Sequence, residues 1–439
     1  MQFEVEAGGR LHGTIRVPGD KSISHRAVIL GALAHGTSSV TGFLPGEDTL
    51  NTMRAFQAMG VRIERWAEAD LRIHGVGLEG LAPSAIDLDC GNSGTGMRLL
   101  AGLLCGQRFP SRLIGDASLS RRPMRRVLDP LKQMGALITA TEAGTAPLTI
   151  EAIPGGLLKA IDYVSPVASA QVKSCVLLAA LYADGASAVT EPVATRDHSE
   201  RMLAAFGAQV EVDGLRVSIQ PRPRLHAQNI VVPSDFSSAA FFLVGAAIAP
   251  GSDLRIEAVC MNPRRTGLLD CLREMGARIE VLEPREEGGE PVADLHVRGS
   301  DLRGIEVPAA RVADMIDEFP ALFIAAACAT GETLIRGAEE LRVKESDRLA
   351  SMAAGLRTLG VTVEESAGGA RIRGGQQISG GAIDSHGDHR IAMSFAMAAL
   401  RASGPIRILD CANVATSFPG FAQLAAGSGL GLSVMSAAT

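Results

Sequence analysis

FQAMGVRIE, at Phe56 to Glu64, is not used once. The phrase returns as LKQMGALIT around Gly135, LAAFGAQVEV around Gly207, LREMGARIEV around Gly276 and LRTLGVTVEE around Gly360, with a degenerate sixth copy around Gly429. Each copy reads as the end of an amphipathic helix, a small or apolar residue plus Gly, then a strand. Gly at that place suits a helix C-cap with positive φ. A second phrase, an Ala/Leu-rich helix ending in Gly before a β-rich run, alternates with the first and ends at Gly36, Gly106, Gly185, Gly251, Gly331 and Gly404. The two interleave at a period of roughly 70 to 80 residues, longer than solenoid repeats. The chain is therefore α/β, built from six strand-helix-strand-helix-strand units that divide into two groups of three.

A length of 439 residues suits two domains better than one core. The crossings fall at Val17-Pro18-Gly19-Asp20 and Val232-Pro233-Ser234-Asp235, both turn-forming stretches. Residues 1–18 and 235–439 then form one domain and residues 19–234 the other, with three units in each. Aromatic residues are 4% of the chain against 46% hydrophobic, so the core must be aliphatic. No apolar run reaches the ~20 residues of a membrane span, and the amino terminus lacks a basic-then-apolar export signal. Seven cysteines, never spaced CxxC, argue against a disulfide framework or structural zinc and for a reducing compartment. The net charge is −6 with no basic run, which makes nucleic acid a poor partner.

Chemistry is concentrated in short polar stretches ahead of apolar helices. Pro18-Gly19-Asp20-Lys21-Ser22-Ile23-Ser24-His25-Arg26 leads into a helix expected from Ala27 to Leu33. Open backbone N–H groups with Lys21 and Arg26 make an anion site there, although Asp20 or Ser22 equally suits a plain cap. Gly91-Asn92-Ser93-Gly94-Thr95-Gly96-Met97-Arg98 is a second small-residue cradle, distinct from a Walker loop because no Gly-Lys-Ser/Thr follows. Ser118-Leu119-Ser120-Arg121-Arg122-Pro123-Met124 reads as a basic anion site or a surface loop. Ser169-Ala170-Gln171-Val172-Lys173-Ser174 offers neutral donors, and Thr195-Arg196-Asp197-His198 binds a ligand or caps a helix from Ser199 to Phe206.

Carboxylates come from the second half. Asp317, before an apolar helix from Ala321 to Ala329, is a base or an N-cap. Arg342-Val343-Lys344-Glu345-Ser346-Asp347-Arg348 alternates charge at helical spacing, as a salt-bridged surface helix would. Ser385-His386-Gly387-Asp388-His389-Arg390 precedes a helix from Ile391 to Leu400, and its two histidines lack the further ligands that a metal site requires.

In this order, PGDKSISHR, GNSGTGMR, SRRPM, SAQVKS, DEFPA, RVKESDR and GDHR resemble the motifs of the 5-enolpyruvylshikimate-3-phosphate synthases, spanning residues 18 to 390. The resemblance implies an inside-out α/β barrel in two domains, six βαβαββ units, and an active site in the interdomain cleft. It implies transfer of the carboxyvinyl group of phosphoenolpyruvate to shikimate 3-phosphate, with no metal or other cofactor, by a cytoplasmic monomer. Ser22, Arg26, Ser169, Gln171, Asp317 and Lys344 would meet shikimate 3-phosphate, with Ala170 where other members carry a second Ser. Lys21, Gly94, Arg122, Gln171, Arg348 and Arg390 would meet phosphoenolpyruvate, and Arg196 matches a phosphate contact of one subgroup. Asp317 would be the base, with Glu345 or Lys21 the acid. Room at Gly94 implies inhibition by glyphosate, relieved by a methyl group pressing on the inhibitor. The chain departs from many bacterial members at Thr416-Ser417-Phe418-Pro419, which lacks their Lys, and at Arg196-Asp197-His198. Two alternatives are a UDP-N-acetylglucosamine enolpyruvyl transferase, disfavoured by Ser22 and a cysteine-free Ser118 to Met124, and a non-catalytic binding protein of the same fold.

Overall fold

The computed structural model describes residues 1–153 and 157–435. The chain divides into two compact units. One comprises Met1–Pro18, Pro233–Glu286 and Glu290–Thr439; the other comprises Gly19–Val232 and Glu287–Gly289. Each holds three small sheets among the described residues.

One unit of the repeat shows how they are built. Strand Leu88–Asp89 runs parallel to Ser111–Ile114, which pairs antiparallel with Leu148–Glu151, itself antiparallel to Leu137–Thr139. Helix Gly94–Leu104 joins the first two strands, and helix Arg125–Gln133 leads to the closing hairpin. The order is βαβαββ, ending in a hairpin and not in a single strand. Asp162–Val164 to Arg216–Ile219 repeats it. Elsewhere the chain completes sheets with distant segments. Asn229–Val231 lies parallel to His35–Thr41, His12–Ile15 lies parallel to Asp253–Cys260, and Gln2–Val5 sits between Ile406–Leu409 and Leu432–Met435.

The sheets lie outside and the helices inside. Helix Phe236–Ile248 is largely apolar and buried at every position, and it packs against helices Phe319–Cys328 and His389–Ala398, which are buried along almost their whole length. A helix that is apolar on every face has to be surrounded. In the other unit Gly94–Leu104 packs on Lys21–Leu33 and Ala170–Ala180. With few aromatics, close approach comes from small residues: a Cβ at Gly102 would fall 2.9 Å from the Cys175 carbonyl carbon.

All six glycines of the first phrase carry the expected positive φ, from +83° at Gly135 to +111° at Gly429. The second phrase follows this at Gly36, Gly251 and Gly331 but not at Gly106, Gly185 or Gly404. At Gly106 the reason is packing, since a Cβ there would run into the Tyr182 ring. No helix among the described residues is long and apolar enough to cross a membrane. None of the seven cysteines forms a disulfide, and burial pushes the thiols of Cys105, Cys328 and Cys411 up to about 12.

Candidate active site

Each central helix begins at one of the polar stretches. A helix start leaves backbone N–H groups open and carries the positive end of its dipole, so these starts favour anions. Helix Lys21–Leu33 starts earlier than the sequence suggested, because Asp20 caps it by accepting from Ile23 N at 2.9 Å. Lys21 and Ser22 therefore occupy its first turn and Arg26 its second. Ser93 caps Gly94–Leu104 and Ser169 caps Ala170–Ala180. Ala170 is thus the first helical residue, with Gln171 next.

Side chains tie these three starts together. Arg98 Nη1 donates to Gln171 Oε1 at 2.6 Å and Gln171 Nε2 donates to Thr95 Oγ1 at 2.9 Å. Arg122, buried and not on a loose surface loop, donates from Nη2 to Asn92 Oδ1 at 2.6 Å and to Ser118 Oγ at 3.3 Å. Arg26 donates to the Ser22 carbonyl, and to Ser174 and Ser199 at 2.8 and 2.7 Å. Lys21 pairs with Asp48 at 3.0 Å. A Cβ at Gly94 would meet Arg98 Nη1 at 2.9 Å and Arg122 Nη1 at 3.2 Å. A methyl group there therefore presses on the protein's own guanidinium groups.

His25 joins the first two starts. Its Nδ1 is 2.8 Å from Thr52 Oγ1 and its Nε2 is 3.3 Å from Ser93 Oγ, which also accepts from Gly96 N. The network is satisfied by neutral imidazole, with Nδ1–H donating to Thr52 and Nε2 accepting from Ser93. Burial, reinforced by the Lys21 and Arg26 cations, lowers the ring to about 3. The unfolded chain binds a proton near 6.5 and the folded chain does not, so stability falls as pH drops from 6.5 towards 3, by about 1.4 kcal/mol per pH unit from this group. Urea unfolding at pH 7.0 and 4.5 should show His25→Gln losing less on acidification than wild type, by roughly 2–3 kcal/mol. Equal losses would mean that His25 is not held neutral.

The other unit gathers charge of both signs. Arg348, 1% exposed, donates from Nε to Asp388 at 2.8 Å, from Nη1 to Asp317 at 3.2 Å and from Nη2 to Glu345 at 2.6 Å and Asp388 at 3.3 Å. Burial opposes its charge, but Asp388, Glu345 and Asp317 outweigh that and hold it above the usual arginine range. Asp388 is likewise held below its usual range by the Arg348 guanidinium, against the effect of burial. Lys344 pairs with Asp317 at 3.3 Å and Arg390 donates to the Asp317 carbonyl at 3.2 Å. Five guanidinium hydrogens leave one on Arg348 Nη1 without a partner among the described residues.

These arrangements match a known family along nearly the whole chain. The family model for EPSP synthase (3-phosphoshikimate 1-carboxyvinyltransferase) covers residues 5–424. The chain belongs to the EPSP synthase family. The 3-phosphoshikimate 1-carboxyvinyltransferase of Methylococcus capsulatus is 64% identical over 98% of each chain, and that of Acidithiobacillus ferrooxidans is 62% identical over 99% of this chain and 100% of the other. Among solved structures, an EPSP synthase from Acinetobacter baumannii has a TM-score of 0.89 and 52% identity, covering 99% of this chain and 100% of that one. An enolpyruvyl transferase from Streptomyces tendae, at 19% identity and a TM-score of 0.79, shares the fold.

Several local readings of this EPSP synthase family chain change in the structure. Asp317 is not a cap: helix Phe319–Cys328 begins after Glu318 with no side-chain cap bond, and the Asp317 carboxylate turns to Lys344 and Arg348. Arg342 to Asp347 is no salt-bridged helix face. A 3-10 turn covers Glu339–Val343, and helix Arg348–Thr358 starts where Asp347 caps it. Asp197 does not cap helix His198–Ala205; its carboxylate accepts from Arg201 at 2.8 Å. Arg196 lies half-buried just before that helix. Asp388 caps helix His389–Ala398, which starts two residues earlier than expected, and serves Arg348. The described residues contain no group of three His, Cys, Asp or Glu side chains able to hold a metal.

Other members of the polar framework were not singled out from sequence. Lys173, 2% exposed, pairs with both Glu191 and Glu200 at 2.7 Å, directly behind the Arg26 serines. A lone Lys inside QVKSCVLLAA was the available signal, because a buried ammonium requires carboxylate partners.

Proposed function

We infer that this protein transfers the carboxyvinyl group of phosphoenolpyruvate to the 5-hydroxyl of shikimate 3-phosphate, releasing phosphate; its relatives are named 3-phosphoshikimate 1-carboxyvinyltransferases. The observation that carries the reading is the concentration of cations and open N–H groups at helix starts in a chain of net charge −6. The two substrates together bring about six negative charges, which only a local excess of cations accommodates. The UDP-N-acetylglucosamine and non-catalytic alternatives gain no support beside relatives 59–64% identical and named for the shikimate reaction.

Ser22, Arg26, Ser169, Ala170, Gln171, Arg196 and Lys344 hold shikimate 3-phosphate; Lys21, Gly94, Arg122, Arg348 and Arg390, with Gln171, hold phosphoenolpyruvate. Asp317 takes the proton of the 5-hydroxyl as its oxygen bonds to C2, while C3 gains a proton. Phosphate then leaves C2 as the new methyl group loses a proton, restoring the double bond. Glu345 or Lys21 gives the C3 proton. The Arg348–Glu345 pair must part for the first, and the Lys21–Asp48 pair for the second. Fixed guanidinium groups stabilise the charge of the tetrahedral intermediate. We place the enzyme in the cytoplasm as a monomer; seven cysteines without a disulfide fit a reducing compartment.

Phosphate release should require both substrates and persist in a chelator. Undiminished release without shikimate 3-phosphate, or abolition by the chelator, would sink the assignment. Glyphosate should compete with phosphoenolpyruvate. Because the Gly94 methyl meets Arg98 and Arg122, Gly94→Ala should raise the phosphoenolpyruvate KM as well as the glyphosate Ki, each by roughly 5-fold or more. An unchanged KM would show that the two arginines yield freely.

A further inference from the structure

A second buried polar cluster lies behind Asp317. Arg265, fully enclosed, donates from Nη2 to Asp235 Oδ1 at 2.7 Å and to Ser237 Oγ at 2.8 Å. The Ser237 hydroxyl in turn donates to Glu318 Oε1. Glu318, the neighbour of Asp317, is 1% exposed, and its Oε2 is buried with no hydrogen-bond partner among the described residues. Asp235 is where the chain re-enters this unit, and its N–H donates to the carbonyl of Pro18, where the chain left it.

The side chains at 317 and 318 diverge. Asp317 goes to Lys344 and Arg348, Glu318 to Ser237, and the carbonyl between them accepts from Arg390. No side-chain cap holds the following helix, and the Glu318–Ser237 bond anchors this turn on the side away from the cations. Two carboxylates, one guanidinium and a serine are a costly way to fill a core that apolar residues fill as well. A network of this kind explains itself by the geometry it fixes.

We propose that Glu318 is a positioning residue, tied through Ser237 and Arg265 to the segments where the chain passes between its units, and that it sets the peptide carrying the Asp317 carboxylate. The proposal rests on Asp317 being the base. Misplacing a base by about 1 Å costs on the order of 100-fold in rate, so losing the anchor acts on turnover more than on binding.

The test compares Ser237→Ala, Ser237→Thr and Asp317→Ala in the full chain by steady-state kinetics and thermal unfolding. Ser237→Ala should lower kcat by roughly 10- to 100-fold, with the KM for phosphoenolpyruvate within about twofold. Ser237→Thr keeps the hydroxyl and should recover most of the loss. If Ser237→Ala lowers Tm but keeps kcat within about threefold, or if Thr fails to restore what Ala removes, the positioning role is wrong. Asp317→Ala separates the failures. Should it lose kcat while Ser237→Ala does not, only this inference falls; should it keep kcat, the base assignment falls and takes this inference with it.

Discussion

Asp317→Ala should lower kcat by about 10² to 10⁴-fold, the usual contribution of a positioned general base. Its carboxylate is held at 3.3 Å from Lys344 and 3.2 Å from Arg348, which keeps it oriented. The same pairs make a second expectation. Removing Asp317 takes one carboxylate away from both cations, so the KM for phosphoenolpyruvate should stay level or fall while kcat collapses. Asp317→Asn keeps shape and an acceptor oxygen but cannot take the proton, and should be nearly as slow as the alanine variant. Steady-state kinetics with both substrates varied checks this. Turnover within about twofold of wild type in either variant would remove Asp317 from the base role.

The largest effect on stability should come from Lys173→Met. Lys173 sits between Glu191 and Glu200, and Thr195 adds its hydroxyl to Glu191. Burial already pushes the Glu200 carboxyl up, with the Lys173 ammonium working against it. Without the ammonium two buried carboxylates stand uncompensated, a loss of roughly 3–5 kcal/mol, or on the order of 10 °C in Tm. Glu200 escapes part of this by binding a proton. Already raised by burial, its folded pKa would rise further without the ammonium, so the variant binds more protons folded than unfolded and loses stability as pH rises. The deficit relative to wild type should therefore be larger at pH 8 than at pH 5.5, measured by urea unfolding. A pH-independent deficit would place the cost in packing. Because Arg26 rests on Ser174 and Ser199, the neighbours of Lys173 and Glu200, the variant should also bind shikimate 3-phosphate less tightly.

The repeat was legible because the physics that makes it is local. A helix that ends at a positive-φ glycine and passes into a strand needs particular residues at particular places, and all six copies of the first phrase kept them. The motif positions were legible for the same reason, since open N–H groups at helix starts attract small and polar residues. Element boundaries were less so. The helices at Lys21, His389 and Arg348 begin where Asp20, Asp388 and Asp347 cap them, and an Asp ahead of a cationic motif reads equally as a ligand or a cap. Asp317 and Asp197 went the other way: Asp317 turns to Lys344 and Arg348, brought near by the fold, and Asp197 to Arg201 one turn along its own helix.

Sequence alone determined that this is an α/β chain of six related units, and that its charge is gathered into anion-binding motifs matching one enzyme family; the expected aliphatic core in fact holds a cluster of Phe3, Phe242, Phe418 and Phe421. Periodicity, capping and composition are short-range properties and are written residue by residue. Only the tertiary structure decided which charges meet. Arg348 is fastened to residues 31 and 40 positions away, Arg26 to residues 148 and 173 positions away, and Glu318 to a serine 81 positions away. An ion pair depends on a few ångströms of separation in a low-dielectric interior, and that distance is set by how buried helices pack, which no local pattern records.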